Sequence, residues 1–138
     1  MKLSFVRTCV VAAALVGVVS AAVAAADPLQ ACYKRADTMI EVQACLKKEL
    51  DQVQKYHDEV LDRVMDSARE LDRIQKRKEA VKALTEANKA FARYVDEECG
   101  WVQASYGSGS GAGNAALACR INLLRVRAGT MDARFLSH

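Results

Sequence analysis

The sequence predicts an all-α protein: an antiparallel three-helix bundle, made of a long helical hairpin plus a third helix, with two disulfides. Three observations lead there. The 138 residues include a single proline, are 51% apolar and only 6% aromatic, a balance that favours helices over strands. Apolar residues recur in steps of three and four along three separate stretches. Four cysteines remain after an N-terminal segment with the marks of an export signal. The same composition, with 27% charged residues, excludes a disordered tail and a polytopic membrane protein.

Lys2 and Arg7 form a short basic region, followed by an uncharged run from Val10 to Ala26. That run ends in small residues that offer Ala-x-Ala cleavage sites, Ala22-Val23-Ala24 or Ala24-Ala25-Ala26, before Asp27-Pro28. Residues 1–26 therefore read as a signal peptide and 27–138 as the helical domain, which places the mature chain in the periplasm or outside the cell. A retained anchor is the weaker reading, because the run is short for a spanning helix and mostly Ala and Val. Leu29-Gln30-Ala31-Cys32 looks like a lipobox. Gln is poor at its second position, and Asp27 and Pro28 separate it from the apolar run, so Cys32 is assigned to a disulfide.

Removing residues 1–26 takes two basic residues and no acidic ones, leaving 18 Lys+Arg against 17 Asp+Glu. The mature chain is nearly neutral. It offers no basic field for nucleic acid, and no membrane contact is expected after cleavage.

Cys9 leaves with the signal segment, and Cys32, Cys45, Cys99 and Cys119 remain. An even number in an exported chain implies two disulfides, with three possible connectivities. Nearest-neighbour pairing, Cys32 with Cys45 and Cys99 with Cys119, closes the short loops and is the one expected. Each bridge would add about 3 kcal/mol by loop entropy. A four-Cys metal site is the rival, but no Cys-x-x-Cys pair is present.

The first long helix begins at a capping box, Thr38-Met39-Ile40-Glu41, and carries Leu46, Leu50, Val53, His57, Val60, Val64, Ser67, Leu71 and Ile74 on one stripe. The second stripe is Val81, Leu84, Asn88, Phe91, Val95 and Val102, widened by Ala87, Ala90 and Tyr94. The third is Leu117, Ile121, Leu124, Ala128, Met131 and Phe135. A turn is expected near Gln75–Lys78, in a charged stretch without Gly or Pro. One unbroken helix across it is the alternative, and a monomer could not bury both of its stripes. The alternating glycines from Tyr106 to Asn114 predict a loop. This topology gathers both disulfides, that loop and the acidic run Asp96-Glu97-Glu98 at one pole. Heptad-like spacing also permits pairing between chains, so the oligomeric state stays open.

No catalytic constellation emerges, and no cofactor or metal is implied. The Gly/Ser loop lacks the Gly-Lys-Ser/Thr ending of a phosphate loop and follows no strand. His57 is expected as a seam residue with its ring edge reaching water, and the terminal His138 lacks any ligand spacing to it. Glu97 and Glu98, adjacent on a helix, point about 100° apart and cannot face one sugar substrate. Trp101 is expected to cover the neighbouring disulfide; its second possible role is that of an interface anchor.

Taken together, Cys32, Thr38, Glu41 and Cys45 match an opening pattern of Cys followed by Thr-x-x-Glu-x-x-x-Cys. Leu84, Ala87, Tyr94, Asp96 and Cys99 match a central signature, Leu-x-x-Ala-Gln-x-x-Trp-x-x-Tyr-Arg-Asp-x-x-Cys, in which Asn88, Phe91 and Val95 stand for Gln, Trp and Arg. The chain thereby resembles the LprI-like lysozyme-inhibitor domain, a family of small exported bacterial proteins, from Cys32 to Met131. Cys119 follows the Gly-rich loop, and Arg127 stands where the family's late Arg lies.

The resemblance implies a binding protein rather than an enzyme, with lysozyme as its protein partner in the cell envelope. An inhibitor of a cationic muramidase should steer by local negative charge and occlude the cleft. The residues expected to do so are Asp96, Glu97 and Glu98, with Trp101, Tyr106 and the loop glycines Gly107, Gly109 and Gly111. The alternatives are an immunity protein against a wall-degrading toxin and an envelope structural or stress protein.

Overall fold

The computed structural model describes residues 26–109 and 111–136, and these form four α-helices. They are α1 (Pro28–Tyr33), α2 (Met39–Gln75), α3 (Glu79–Ser105) and α4 (Gly111–Phe135). The signal-peptide reading, Cys9 and His138 fall outside the described residues, save Ala26. The three long helices follow the three apolar stripes, and α1 is an addition to the expected set.

Each helix boundary has a local cause. Asp27 accepts from the Leu29 N–H, and Pro28 occupies the first turn of α1, where its missing donor costs nothing. Thr38 and Glu41 form the expected capping box of α2. The chain then breaks at Lys76, whose φ of 51° lies in the left-handed region. This places the turn inside the expected 75–78 stretch. Lys78 provides no side-chain cap for α3. Asp72 does so from the preceding helix, its carboxylate accepting from the N–H groups of Ala80 and Val81 at 3.0 Å each.

The Gly-rich loop is shorter than expected. α3 continues to Ser105, and α4 already begins at Gly111, so Gly111, Gly113 and Asn114 are helical. The reason lies in the residues between the glycines. Ala112, Asn114 and Ala115 are buried, and close packing of small side chains outweighs the helix penalty of about 1 kcal/mol per glycine.

α4 packs against both α2 and α3, and α2 and α3 also touch. Glu49 pairs with Arg125 at 3.7 Å and Arg63 with Asp132 at 3.3 Å, so α4 runs alongside α2 in the same direction. Asp96 pairs with Arg120, and Phe91 lies under Arg127, so α3 runs the opposite way. The larger core cluster joins Cys32, Val42, Leu46 and Val53 to Ala118, Ile121 and Leu124. The smaller joins Val60 and Val64 to Met131. α4 ends beside this second cluster, leaving the last turns of α2 without it. Leu71 and Ile74, expected in the core, are consequently exposed, as is Phe135 at the end of α4.

Both disulfides have the nearest-neighbour pairing, Cys32–Cys45 and Cys99–Cys119, with Cα separations of 5.8 and 5.6 Å. Cys45 and Leu117 pack against the same large cluster, which sets the two bridges at one end of the molecule.

Candidate partner-binding surface

The end of α3 is held from two sides. Val95 and Cys99 are buried, and the Cys99–Cys119 bridge ties this segment to α4. Because a helix turns about 100° per residue, Trp101 points away from the core face that Cys99 and Val102 share. Trp101 is accordingly 66% exposed and does not cover the disulfide, contrary to the sequence expectation. Tyr94, seven residues earlier, lies on the same flank and is 48% exposed. Tyr94 thus lies off the apolar stripe that the sequence predicts for it, and its seven-residue spacing from Trp101 is the signal that places the two on one flank.

Glu97 is exposed and Glu98 half-buried, and neither is engaged in an ion pair among the described residues. Tyr106, which ends α3, is also exposed. Gly107 follows with φ of 66°, a left-handed conformation that a residue with a Cβ adopts at a cost. Tyr94, Glu97, Glu98 and Trp101 thus share one flank of α3, and Tyr106 caps the helix beyond them on a different side. Gly109 lies in the turn after it, and Gly111 belongs to the first turn of α4.

Asp96 does not join them. It lies on the opposite flank, where Arg120 Nη1 donates to its Oδ1 at 2.8 Å. Its charge is neutralised locally, so the acidic run divides into one paired and two unpaired carboxylates.

On that other flank α2, α3 and α4 line an open cleft of about 300 Å³ with mixed walls, His57, Asp58, Asn88, Asp96 and Arg120 beside apolar residues such as Leu50 and Phe91. His57 is only 5% exposed, so its ring edge does not reach water as the sequence suggested. The ring stacks on Phe91, with centroids 5.9 Å apart, and Nδ1 lies 3.0 Å from Asp58 Oδ1. Its Nε2 is buried without a hydrogen-bond partner among the described residues. Among the described residues no Ser, Thr or Cys side chain lines this cleft. The described residues contain no group of three His, Cys, Asp or Glu side chains placed to hold a metal ion.

The sequence profile of the lysozyme inhibitor LprI family matches residues 30–131. The chain belongs to this family. No curated protein and no solved structure matches it. In this LprI-family chain the residues of the opening pattern are structural, since Thr38 and Glu41 cap α2 and Cys32 bridges to Cys45. Arg127 carries its guanidinium 5.4 Å above the Phe91 ring, joining α4 to α3 at mid-length. Among the described residues, no helix is long and apolar enough to cross a membrane.

Proposed function

We propose that the mature chain is an envelope lysozyme inhibitor that docks through the outer flank at the end of α3. Its scaffold is an antiparallel three-helix bundle with α1 clasped to it, exported by cleavage of residues 1–26. The observation that carries this reading is Trp101, two-thirds exposed next to a disulfide anchor and flanked by unpaired Glu97 and Glu98. A large aromatic on a rigid support is the side chain that most often dominates a protein interface. The two carboxylates supply local attraction for a cationic partner, which a nearly neutral chain cannot supply as a whole. Tyr94 extends the contact along the flank, and the turn after Tyr106, at Gly107 and Gly109, offers backbone unobstructed by side chains. The family's name supports lysozyme as the partner.

The test is a turbidity assay of c-type lysozyme on a peptidoglycan suspension, with oxidised, signal-free protein added. Wild type slows clearing in a dose-dependent way. Trp101→Ala weakens inhibition about 30-fold, the scale of a hot-spot residue. Lysozyme clearing that is unaffected by saturating wild-type protein would overturn the reading. Undiminished inhibition by Trp101→Ala would remove this surface from it.

A further inference from the structure

The end of the molecule away from the disulfides is open. Ala80, Ala83 and Ala87 line α3 there at helical spacing, opposite the last turns of α2 that α4 does not cover. Small side chains facing an overhanging helix leave a cleft of about 410 Å³, within the usual range of small-molecule sites. Its walls are mainly apolar and include Val64, Leu71, Leu84, Met131 and Phe135.

Among the described residues its only charged lining groups are two guanidiniums, those of Arg127 and Arg134. Among the described residues no carboxylate lines the cleft, and neither arginine forms an ion pair. Arg134 in the last turn of α4 also complements the helix dipole, which accounts for its charge but not for its position beside an apolar cavity. Arg127 is the more telling of the two. Its guanidinium already lies over the Phe91 ring, yet its Nε is buried and lacks a hydrogen-bond partner among the described residues, an expensive arrangement for a charged donor unless something accepts from it.

We propose that this cleft binds a single-chain amphiphile with an anionic head, the acyl chain lying against the α3 alanines and the head between Arg127 and Arg134. The shared chemistry is an alkyl chain ending in carboxylate or phosphate. The charge of the two unpaired arginines selects it over a neutral or cationic amphiphile. The site lies at the opposite end from Trp101 and is independent of lysozyme binding.

Isothermal titration of the oxidised, signal-free protein below the micelle concentration tests this, using laurate, lauroyl-lysophosphatidate, dodecanol and dodecyltrimethylammonium. One anionic amphiphile binds at one to one, and dodecanol and the cation bind at least tenfold more weakly. Preference for laurate identifies a free fatty acid as the source, and preference for lysophosphatidate a lysolipid; both support the site. Arg134→Gln, at an exposed position, weakens binding about tenfold with helicity unchanged. Ala83→Leu, which fills the cleft, removes binding while leaving lysozyme inhibition as in wild type. Equal binding of dodecanol, saturable binding of none of the four, or unchanged binding by both variants would overturn the proposal. So would a dimer on sedimentation that Ala83→Leu dissociates, since a second copy would then be the occupant.

Discussion

Arg120 on α4 holds Asp96 on α3 at 2.8 Å, one residue beyond the cystine that already joins these helices at Cys119. This ion pair sets Asp96 apart from Glu97 and Glu98, its immediate neighbours in sequence, which form none among the described residues. With its two partners 38% and 70% exposed, its contribution to stability is at most about 1 kcal/mol.

The first prediction follows from that separation. Asp96→Asn leaves lysozyme inhibition unchanged and lowers the urea midpoint only slightly. Glu97→Gln combined with Glu98→Gln slows association with lysozyme at low salt and has little effect at high salt, because exposed charges act mainly on the encounter. Stopped-flow association rates across ionic strength distinguish the two variants.

Cys32 is fully buried, and its bridge clasps α1 to the start of α2. Replacing Cys32 and Cys45 by Ala together costs about 3 kcal/mol and detaches α1. Urea unfolding should report the loss, and amide exchange should show residues 28–33 exposed while α3 and α4 stay protected.

Glu41 gives the fold a pH dependence at low pH. Hydrogen bonds from the Asp37 N–H, then those involving Thr38, hold its carboxyl below the ordinary glutamate value of 4.5. A depressed carboxylate stabilises the folded state above its unfolded value and loses that contribution as pH falls through the folded one. The protection of the Asp37 and Thr38 amides, relative to their intrinsic exchange rates, should therefore fall as the solution is acidified below about pH 4.5. Glu41→Gln should abolish most of that pH dependence.

Gly107 and Gly109 should respond differently to alanine. At φ of 66° Gly107→Ala costs about 1 kcal/mol. A Cβ on Gly109 meets only the Tyr106 carbonyl at 3.8 Å, an ordinary contact, so Gly109→Ala changes stability little. Thermal melts of the two variants provide the comparison.

The periodicity of three stripes and the pairing of four cysteines were legible because each depends on neighbours in the chain. The turn at Lys76 was legible from the charged stretch around it, whereas its stabilisation by Asp72 reaching Ala80 and Val81 depends on folding back. The Asp27-Pro28 start of α1 is present in the sequence, but a six-residue helix is too short to show a periodic stripe. The glycines of α4 misled because burial of Ala112 and Ala115 against other helices has no local signature. At the candidate surface, Trp101 and Glu97 were found by residue type. Their separation from Asp96 required Arg120, 24 residues on, to declare its side.

Each cystine lies wholly within one half of the chain, Cys32–Cys45 before the Lys76–Lys78 turn and Cys99–Cys119 after it. No covalent link spans that turn, and it reads Lys76-Arg77-Lys78, ready for a trypsin-like protease. A single cut there yields two fragments that dilution or urea can part without any reductant. A cut between Gly107 and Gly109 leaves its fragments tethered.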